Sequence, residues 1–345
     1  MSANPHETYM SRCLTLAAKG RGKTLSNPMV GAVLVYQGRI IGEGWHQAYG
    51  APHAEVEAIE RCWEPDKISA ATLYVSLEPC NHYGKTPPCT ELILKHKIKK
   101  VVVGSLDPNP QVAGQGIARL KAAGCSVQTG ILEEACLKLN PGFMKFHGAK
   151  RPFIHLKWAQ SLDGFMAPAE KKAYWISHQL SKQWVHQMRT EHQAILIGIQ
   201  TLLDDKPQLN VRYWKGKDPQ ICIIDPQGKS LQTPEILRKM KNPWIFTAKQ
   251  LQEHSNHFSL YPWEDLETMI QELYQQNIQS VLVEGGAKTL DYFLQAGFWD
   301  QATVFTSQTT FGSGLKAPQM NITPDKNLLL ATDQVSIYEN SGSRV

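Results

Sequence analysis

The sequence predicts an α/β protein with two domains. Its 345 residues are more than one ordinary hydrophobic core accommodates, and segments of strand and helix character alternate in both halves. Between the halves, from 140 to 152, Asn-Pro-Gly and then Gly-Ala-Lys-Arg-Pro break the pattern. We therefore expect a first domain over residues 1–147 and a second domain over residues 148–345.

In the first half, a helical pattern over 7–19 ends at Gly20, and two strands over 30–36 and 40–45 form a hairpin around Gln37-Gly38. The later elements are a helix over 53–63, a strand over 71–76, a helix from about 90, a strand over 100–104, and a helix and a strand before Gly130. Strands separated by helices predict a covered sheet with parallel pairs towards its later part.

The second half repeats this alternation. Strands are predicted over 153–157, 194–199, 220–224, 244–247, 280–283 and 302–306, and helices near 177–189, 263–276 and 288–296. We find no internal repeat and no low-complexity tract.

Composition excludes several classes of protein. An apolar share of 42% and a charged share of 19% are typical of a folded globular chain. The net charge of +5 is mild and its signs are mixed, which argues against a nucleic-acid-binding surface. Residues 1–10 are polar, and no apolar run approaches about 20 residues. With seven scattered cysteines, we expect a cytoplasmic enzyme whose close cysteines serve a metal or catalysis.

Three residues form a candidate zinc site. His53, Cys80 and Cys89 supply imidazole and thiolate, and a catalytic zinc keeps three such ligands. Glu55 follows His53 by two residues, and residues two apart do not share a helix face, so we place the pair at the start of a helix. Cys89 precedes a second helical run, whose dipole favours a thiolate.

The chemistry that needs this arrangement is hydrolytic deamination. Zinc lowers the pKa of water, and a carboxylate outside the ligand set carries the proton to the ring nitrogen and the leaving amine. The zinc nucleobase deaminases share His-x-Glu followed by Pro-Cys-x-x-Cys. Pro79-Cys80 matches that signature, although eight residues instead of two separate Cys80 from Cys89.

Two simpler interpretations stay open at this point. Cys80 and Cys89 are compatible with half of a structural zinc site completed by His82 or His46. Alternatively, His53 and Glu55 are an ordinary helix start with a favourable acidic residue in its first turn.

Several longer motifs carry a resemblance to a known family. They are Asn27-Pro28-Met29-Val30-Gly31-Ala32-Val33, Gly44-Trp45-His46, Pro52-His53-Ala54-Glu55, Leu77-Glu78-Pro79-Cys80-Asn81-His82-Tyr83-Gly84-Lys85-Thr86-Pro87-Pro88-Cys89 and Asp107-Pro108-Asn109-Pro110-Gln111-Val112-Ala113-Gly114. Together they resemble the bifunctional riboflavin-biosynthesis deaminase/reductases. The resemblance implies a cytidine-deaminase-like three-layer α/β domain followed by a dihydrofolate-reductase-like domain, with Zn²⁺ and NADPH as cofactors.

In the deaminase half, the resemblance implies substrate contacts from Asn27, His46, Lys85, Asp107 and Asn109. An amide suits the edges of a pyrimidine ring, and lysine suits a phosphate. The alternative is that these are loop residues, since Asn-Pro pairs start turns.

In the reductase half, a Gly285-Gly286 turn follows a buried strand, where backbone N–H groups can hold a phosphate. A tight strand-to-helix turn explains it equally well. Gly114-Gln115-Gly116 lacks the third glycine of a dinucleotide fingerprint and lies in the first domain. The resemblance implies cofactor contacts from Ala159, Trp175, Thr201, Asp205 and Gly286, and substrate contacts from Arg189, Leu209, Arg212 and Glu284.

The second half also departs from the family pattern. Phe165 replaces a basic residue, Ala173 replaces a serine, and Lys206 replaces a second acidic residue. We still expect the cofactor to bind, but these departures argue against the usual placement of the substrate in the reductase.

We therefore expect deamination of a small pyrimidine nucleotide and NADPH-dependent reduction of its ribose to a ribityl chain. Neither nucleic acid nor membrane is an expected partner, and we expect a homo-oligomer, either dimer or tetramer. The rival hypotheses are a nucleic-acid base deaminase with an accessory domain and a zinc-stabilised module that senses a nucleotide.

Overall fold

The computed structural model describes residues 4–83, 87–110, 112–170, 176–249 and 256–343. The chain divides into two compact units, Met1–Ala149 and Lys150–Val345. The predicted limit between domains lies two residues earlier, after residue 147. The irregular segment predicted from 140 onwards is wrong in part, because a helix spans Pro141–Ala149. Proline tolerates the first position of a helix, where its missing N–H has no partner to lose.

The first unit contains one sheet and six α-helices among its described residues. In chain order these are α1 (Pro5–Ala17), β1 (Gly31–Tyr36), β2 (Arg39–Trp45), α2 (Ala54–Glu60), β3 (Thr72–Leu77), α3 (Cys89–Lys95), β4 (Lys100–Ser105), α4 (Gln115–Ala122), β5 (Ser126–Gln128), α5 (Glu133–Leu139) and α6 (Pro141–Ala149). The strand order is β2-β1-β3-β4-β5. β1 is antiparallel to both neighbours, and β3, β4 and β5 are parallel, as the sequence predicts.

Helices cover both faces of this sheet, which gives three layers. Along β1, Ala32 and Leu34 pack with α2, α3 and α4, whereas Val33 and Val35 pack with α1 and α5. Successive side chains of a strand point to opposite faces, so one buried strand serves both cores. At the carboxyl end of the parallel pair, Leu77 lies beside Ser105, and the loops after β3 and β4 therefore begin side by side.

The second unit is built on a nine-stranded sheet. Its elements are β6 (Phe153–Gln160), β7 (Phe165–Pro168), α7 (Gln179–Glu191), β8 (Ala194–Gly198), α8 (Ile199–Asp205), β9 (Gln220–Ile224), α9 (Pro234–Leu237), β10 (Trp244–Thr247), β11 (Ser259–Pro262), α10 (Leu266–Gln275), β12 (Ser280–Val283), α11 (Ala287–Ala296), β13 (Gln301–Thr306), β14 (Gly314–Lys316), β15 (Lys326–Leu330) and β16 (Asp333–Glu339). The order is β11-β10-β9-β8-β12-β6-β13-β16-β15, and β7 pairs with β14 separately.

The first seven strands in this order, from β11 across the sheet to β13, are all parallel to their neighbours. β16 is antiparallel to β13, and β15 is antiparallel to β16. Ile154, Leu156 and Trp158 of β6 pack on the face covered by α10 and α11. Alternation places Lys157 and Ala159 on the opposite face, which α7 covers. Side chains from β6, β12 and α7 therefore lie close together at the edge of the sheet where the parallel strands end.

Candidate active sites

The three predicted zinc ligands converge in the first unit. His53 directly precedes α2, Cys80 follows β3, and Cys89 is the first residue of α3. Their ligand atoms all lie within 4.8 Å of one another. His53 Nδ1 is 3.2 Å from Cys89 Sγ and 3.6 Å from Cys80 Sγ. Tetrahedral zinc with ordinary bond lengths separates nitrogen and sulfur ligands by about 3.5 Å, so the donors fit the metal.

The rest of the cluster distinguishes a catalytic from a structural metal site. Among the described residues, the group that can hold a metal consists of these three, without His46 or His82. Glu55 stands in the first turn of α2, almost fully buried. Burial raises the pKa of Glu55 to about 7, despite the opposing effect of His53. A buried carboxyl beside three ligands suits proton transfer, and a structural zinc site has no use for it.

The two thiols are not equivalent. A hydrogen bond from Cys89 lowers the pKa of Cys80 to about 4, and His53 contributes in the same direction. The hydrogen bond with Cys80 in turn raises the pKa of His53 to about 9. The backbone N–H of Cys89 also donates to Cys80 Sγ at 3.3 Å. The lowered pKa favours the thiolate form of Cys80, which is the form that binds zinc.

Asn27 and His46 lie together beside this cluster. Asn27 Nδ2 is 3.1 Å from His46 Nε2, and His46 Nδ1 is 3.0 Å from the carbonyl oxygen of Pro52. The His46 ring packs edge-on against His53, with 5.8 Å between centroids. Both nitrogens of His46 are thus engaged within the protein, which leaves the side-chain oxygen and the second amide N–H of Asn27 as groups that can meet a substrate.

The loop after β4 carries the other predicted substrate residues of this unit. Asp107 Oδ1 accepts from the backbone N–H of Asn109 at 2.8 Å. Burial raises the pKa of Asp107. Lys85 lies outside the described residues, so its predicted contact stays a prediction.

In the second unit, two predicted residues form a buried ion pair. Arg189 Nε donates to Glu284 Oε1 at 2.7 Å, and Arg189 Nη2 donates to Glu284 Oε2 at 2.9 Å. Lys157 Nζ adds a second cation 3.6 Å from Glu284 Oε2. Burial opposes the ionisation of Glu284, but Arg189 and Lys157 outweigh it and lower the pKa to about 2. Glu284 is therefore an anion throughout the physiological range.

Asn210 connects the two predicted substrate arginines. Its backbone oxygen accepts from Arg189 Nη1 and its Oδ1 accepts from Arg212 Nη1, both at 2.9 Å. The backbone N–H of Arg212 donates to His186 Nδ1 at 3.1 Å. Burial and the neighbouring arginines lower the pKa of His186 to about 4, so the ring is neutral. Leu209 is buried in the left-handed region with φ 53°, which orients this loop.

Two of the predicted cofactor residues, Thr201 and Gly286, are in contact. The backbone N–H of Gly286 donates to Thr201 Oγ1 at 2.8 Å, so the turn after β12 contacts α8. A Cβ added to Gly286 would stand 2.9 Å from Thr201 Oγ1, so a larger residue there would have to displace this hydroxyl and its hydrogen bond. Ala159 is half-buried on β6, and burial raises the pKa of Asp205 at the end of α8. Trp175 and the Ala173 departure lie outside the described residues.

Sequence reasoning missed Lys157 and Asn210. A lysine inside an apolar strand was the available signal for Lys157, because a buried ammonium needs a partner. Asn210 gave no signal, since it acts through a backbone oxygen as well as its side chain.

Comparison with known proteins decides the family. Residues 3–105 match the cytidine and deoxycytidylate deaminase zinc-binding region, and residues 152–338 match the RibD C-terminal domain. The riboflavin biosynthesis protein RibD of Aquifex aeolicus is 39% identical, covering 92% of this chain and 90% of its own length. The chain belongs to the RibD family. RibD of Escherichia coli is similar at 36% identity, covering 89% of each chain.

Solved RibD structures share the whole fold. The diaminohydroxyphosphoribosylaminopyrimidine deaminase/5-amino-6-(5-phosphoribosylamino)uracil reductase of Thermotoga maritima is 37% identical with a TM-score of 0.85, covering 97% of this chain and 99% of that one. Acinetobacter baumannii RibD is 34% identical with a TM-score of 0.87, covering 98% and 99%. The predicted deaminase-like and reductase-like domains are thereby confirmed.

As a member of this family, the chain is a bifunctional deaminase and reductase of riboflavin biosynthesis. Its cofactors are zinc in the deaminase domain and NADPH in the reductase domain. None of the helices in the described ranges combines the length and apolar character that a membrane crossing requires.

Zinc removal should separate the two activities. We expect one zinc per chain in elemental analysis, with absorption spectroscopy showing one nitrogen and two sulfur protein ligands. Chelation should abolish ammonia release and leave NADPH binding intact, because the ligands and the predicted cofactor residues belong to different units. Four protein ligands in the spectrum, or ammonia release from the zinc-free chain, would contradict this assignment.

Proposed function

We propose that the first unit hydrolyses the exocyclic amine of the diaminohydroxyphosphoribosylaminopyrimidine and that the second unit reduces the ribose of the product to a ribityl chain. The observation that carries the first half is the convergence of His53, Cys80 and Cys89 beside the buried Glu55. The test supplies the aminopyrimidine with and without NADPH and follows ammonia release and NADPH oxidation separately. Ammonia release that does not need NADPH, followed by NADPH oxidation, is the expected result.

In the deaminase reaction, we assign His53, Cys80 and Cys89 to holding zinc, which would activate a water molecule for attack on the carbon that bears the amine. Glu55 would take one proton from the attacking water and pass it to the ring nitrogen, and it would then carry a second proton, from the hydroxyl that the attack forms, to the leaving amine. A buried carboxyl beside the ligand group is placed to accept a proton and to return it. Asn27, held by His46, orients the ring through its carbonyl oxygen.

Asp107 and Asn109 complete the proposed deaminase site. They stand on the loop after β4, which starts beside the Glu78–Cys80 segment. The carboxylate of Asp107 can accept from a ribose hydroxyl, and the amide of Asn109 can pair with the edge of the ring. Lys85 is proposed to meet the phosphate.

In the reductase reaction, NADPH would supply a hydride to the sugar carbon attached to the amine. We assign Thr201, Asp205, Ala159, Trp175 and Gly286 to cofactor binding. We assign substrate binding to Arg189, Leu209, Arg212 and Glu284, with Lys157 beside Glu284. Arg189 uses three of its five N–H groups on Glu284 and Asn210, so two remain for a phosphate oxygen.

Arg212 offers the cleaner test of the phosphate assignment, because it is exposed and makes no buried ion pair in the described structure. Arg212→Gln should raise the KM for the deaminated substrate by about one to two decades, since a hydrogen bond to a charged group contributes about 1.5–3 kcal/mol. The Kd for NADPH should stay unchanged. Lys217→Gln removes an exposed charge from the same loop and serves as control. Equal effects of both variants would show general charge attraction in place of a specific contact.

A nucleic-acid base deaminase is disfavoured by the match of residues 152–338 to the RibD C-terminal domain.

We propose a cytoplasmic location, because all seven cysteines are free and two of them must stay reduced to bind zinc. A dimer or tetramer is the proposed assembly, and Leu315, Ile322 and Leu329 are exposed apolar side chains that such an interface would cover. Light scattering on the purified chain tests the assembly.

A further inference from the structure

Glu78 is a buried carboxylate that the reaction chemistry does not use. It follows β3 directly and stands two residues before Cys80, with only 4% of its surface exposed. Among the described residues it pairs with no cation in the structure. A buried carboxylate without a cation needs a full set of hydrogen-bond donors.

Four backbone N–H groups supply those donors. Glu78 Oε2 accepts from Gly114 at 2.9 Å and from Asp107 at 3.3 Å. Glu78 Oε1 accepts from Gly116 at 2.9 Å and from Ile117 at 3.3 Å. The donors come from both ends of the loop that joins β4 to α4 and from the first turn of α4. One side chain therefore binds both ends of this loop.

The Gly114-Gln115-Gly116 segment, which resembles part of a dinucleotide fingerprint, is explained by this contact. A Cβ added to Gly116 would stand 2.1 Å from the carbonyl oxygen of Pro79, so only glycine lets α4 approach the chain next to Cys80. Gly114 has φ +76°, a conformation that glycine adopts without strain. The backbone groups that would cradle a phosphate elsewhere bind the chain's own carboxylate here.

The same loop carries Asp107 and Asn109, the proposed substrate residues. Asp107 takes part twice, because its N–H donates to Glu78 and its Oδ1 accepts from Asn109. The Glu78 backbone N–H also donates to the Ser105 carbonyl oxygen at 3.0 Å, which ties the end of β3 to the end of β4. The segment that leads into Cys80 and the loop that presents Asp107 are thus joined through a single residue.

We propose that Glu78 is a positioning residue of the deaminase, which sets the distance between the zinc ligands and the substrate loop. The proposal rests on the proposed substrate roles of Asp107 and Asn109. Glu78 is outside the group of zinc ligands and its carboxylate oxygens accept from the backbone of the loop, so its effect on the reaction runs through the loop that it holds. Substrate binding should therefore depend on Glu78 more strongly than the chemical step does.

The test uses Glu78→Gln in the full chain. The amide replaces one acceptor oxygen by an NH₂ group that faces two N–H donors, so two hydrogen bonds are lost and the loop shifts. We expect the KM for the diaminopyrimidine to rise at least about tenfold, with kcat within about threefold of the parent. Zinc should stay at one per chain, and NADPH oxidation with the deaminated substrate should be unchanged. Glu134→Gln, at an exposed carboxylate of the same unit, is the matched control.

Gly114→Ala is the second variant and decides the question if Glu78→Gln does not fold. Among the described residues, apart from its two chain neighbours, no atom lies within 4 Å of the added Cβ, so the change acts through the strained φ of the residue that donates to Glu78. It should raise KM several-fold with zinc content and kcat retained. Unchanged KM in the folded variants, or loss of zinc together with kcat, would overturn the positioning role.

Two further measurements separate this proposal from the proposed site. If Asp107→Asn and Asn109→Ala leave KM unchanged, the substrate roles fail and the positioning role falls with them. If those variants raise KM while Glu78→Gln and Gly114→Ala do not, the site stands and only the role of Glu78 is wrong.

Discussion

Glu55→Gln should lower the rate of ammonia release by about 10²–10⁴-fold, the usual contribution of a general acid–base group. The amide has nearly the same shape as the carboxyl and keeps the first turn of α2, but it cannot accept and return a proton. Zinc content should stay at one per chain, because Glu55 is outside the ligand set. NADPH oxidation with the deaminated substrate should also persist, since its residues belong to the second unit.

Glu60→Gln provides the control for this experiment. Glu60 ends the same helix α2 and is exposed, so its amide should leave both activities at the parental level. A zinc-replete Glu55→Gln chain that still releases ammonia at the parental rate would remove Glu55 from the mechanism. Loss of zinc in that variant would instead place Glu55 among the groups that stabilise the metal site.

The zinc site was predictable from sequence because its chemistry restricts the residue types. Imidazole and thiolate are the usual protein ligands of zinc, and few residue types supply them. His53, Cys80 and Cys89 also lie at predicted helix starts and strand ends. The structure adds two facts that the sequence does not show. Glu55 is buried, and both ring nitrogens of His46 contact polar groups of the protein. Burial and hydrogen-bond partners depend on residues distant in sequence, which no local motif encodes.

Elements with weak patterns were missed for similar reasons. Helix α6 begins at Pro141, directly after Asn140, and Asn-Pro-Gly predicts a turn when read alone. The structure shows that Asn140 binds both the N–H and the carbonyl oxygen of Met29, at 2.7 and 2.9 Å, which anchors that helix start. Strands β14 and β15 are largely exposed, so they lack the alternation of buried and exposed residues that predicts a strand.

Backbone donors are the least visible feature of a sequence. Every residue except proline carries an N–H, so nothing marks Gly114, Gly116 or Ile117 as partners of Glu78 before the fold is known. The Arg189–Glu284 pair shows the same limit, because its residues were each predicted to contact substrate and the structure pairs them with each other.

That pairing predicts a large loss of stability for Arg189→Gln. Removing one partner of a buried ion pair destabilises a protein by about 3–5 kcal/mol, because the other charge stays buried without compensation. Lys157 remains 3.6 Å from Glu284, so we expect the lower end of that range. At about 2–4 °C per kcal/mol for a unit of this size, the Tm of the second unit should fall by roughly 6–12 °C. Arg238→Gln, at an exposed arginine of the same unit, should change Tm little.

The pH dependence of that loss identifies its cause. In the parent, Glu284 has a pKa of about 2, lower than its ordinary value, so its stabilising contribution is present above about pH 5 and fades as the pH falls towards 2. In Arg189→Gln, burial acts with less opposition and should raise the pKa of Glu284, so protonation relieves the unpaired charge at higher pH. The difference in Tm between the two proteins should therefore shrink from pH 7.5 to pH 5. A difference that stays constant over this range would assign the loss to the packing of the Arg189 side chain, because packing does not titrate.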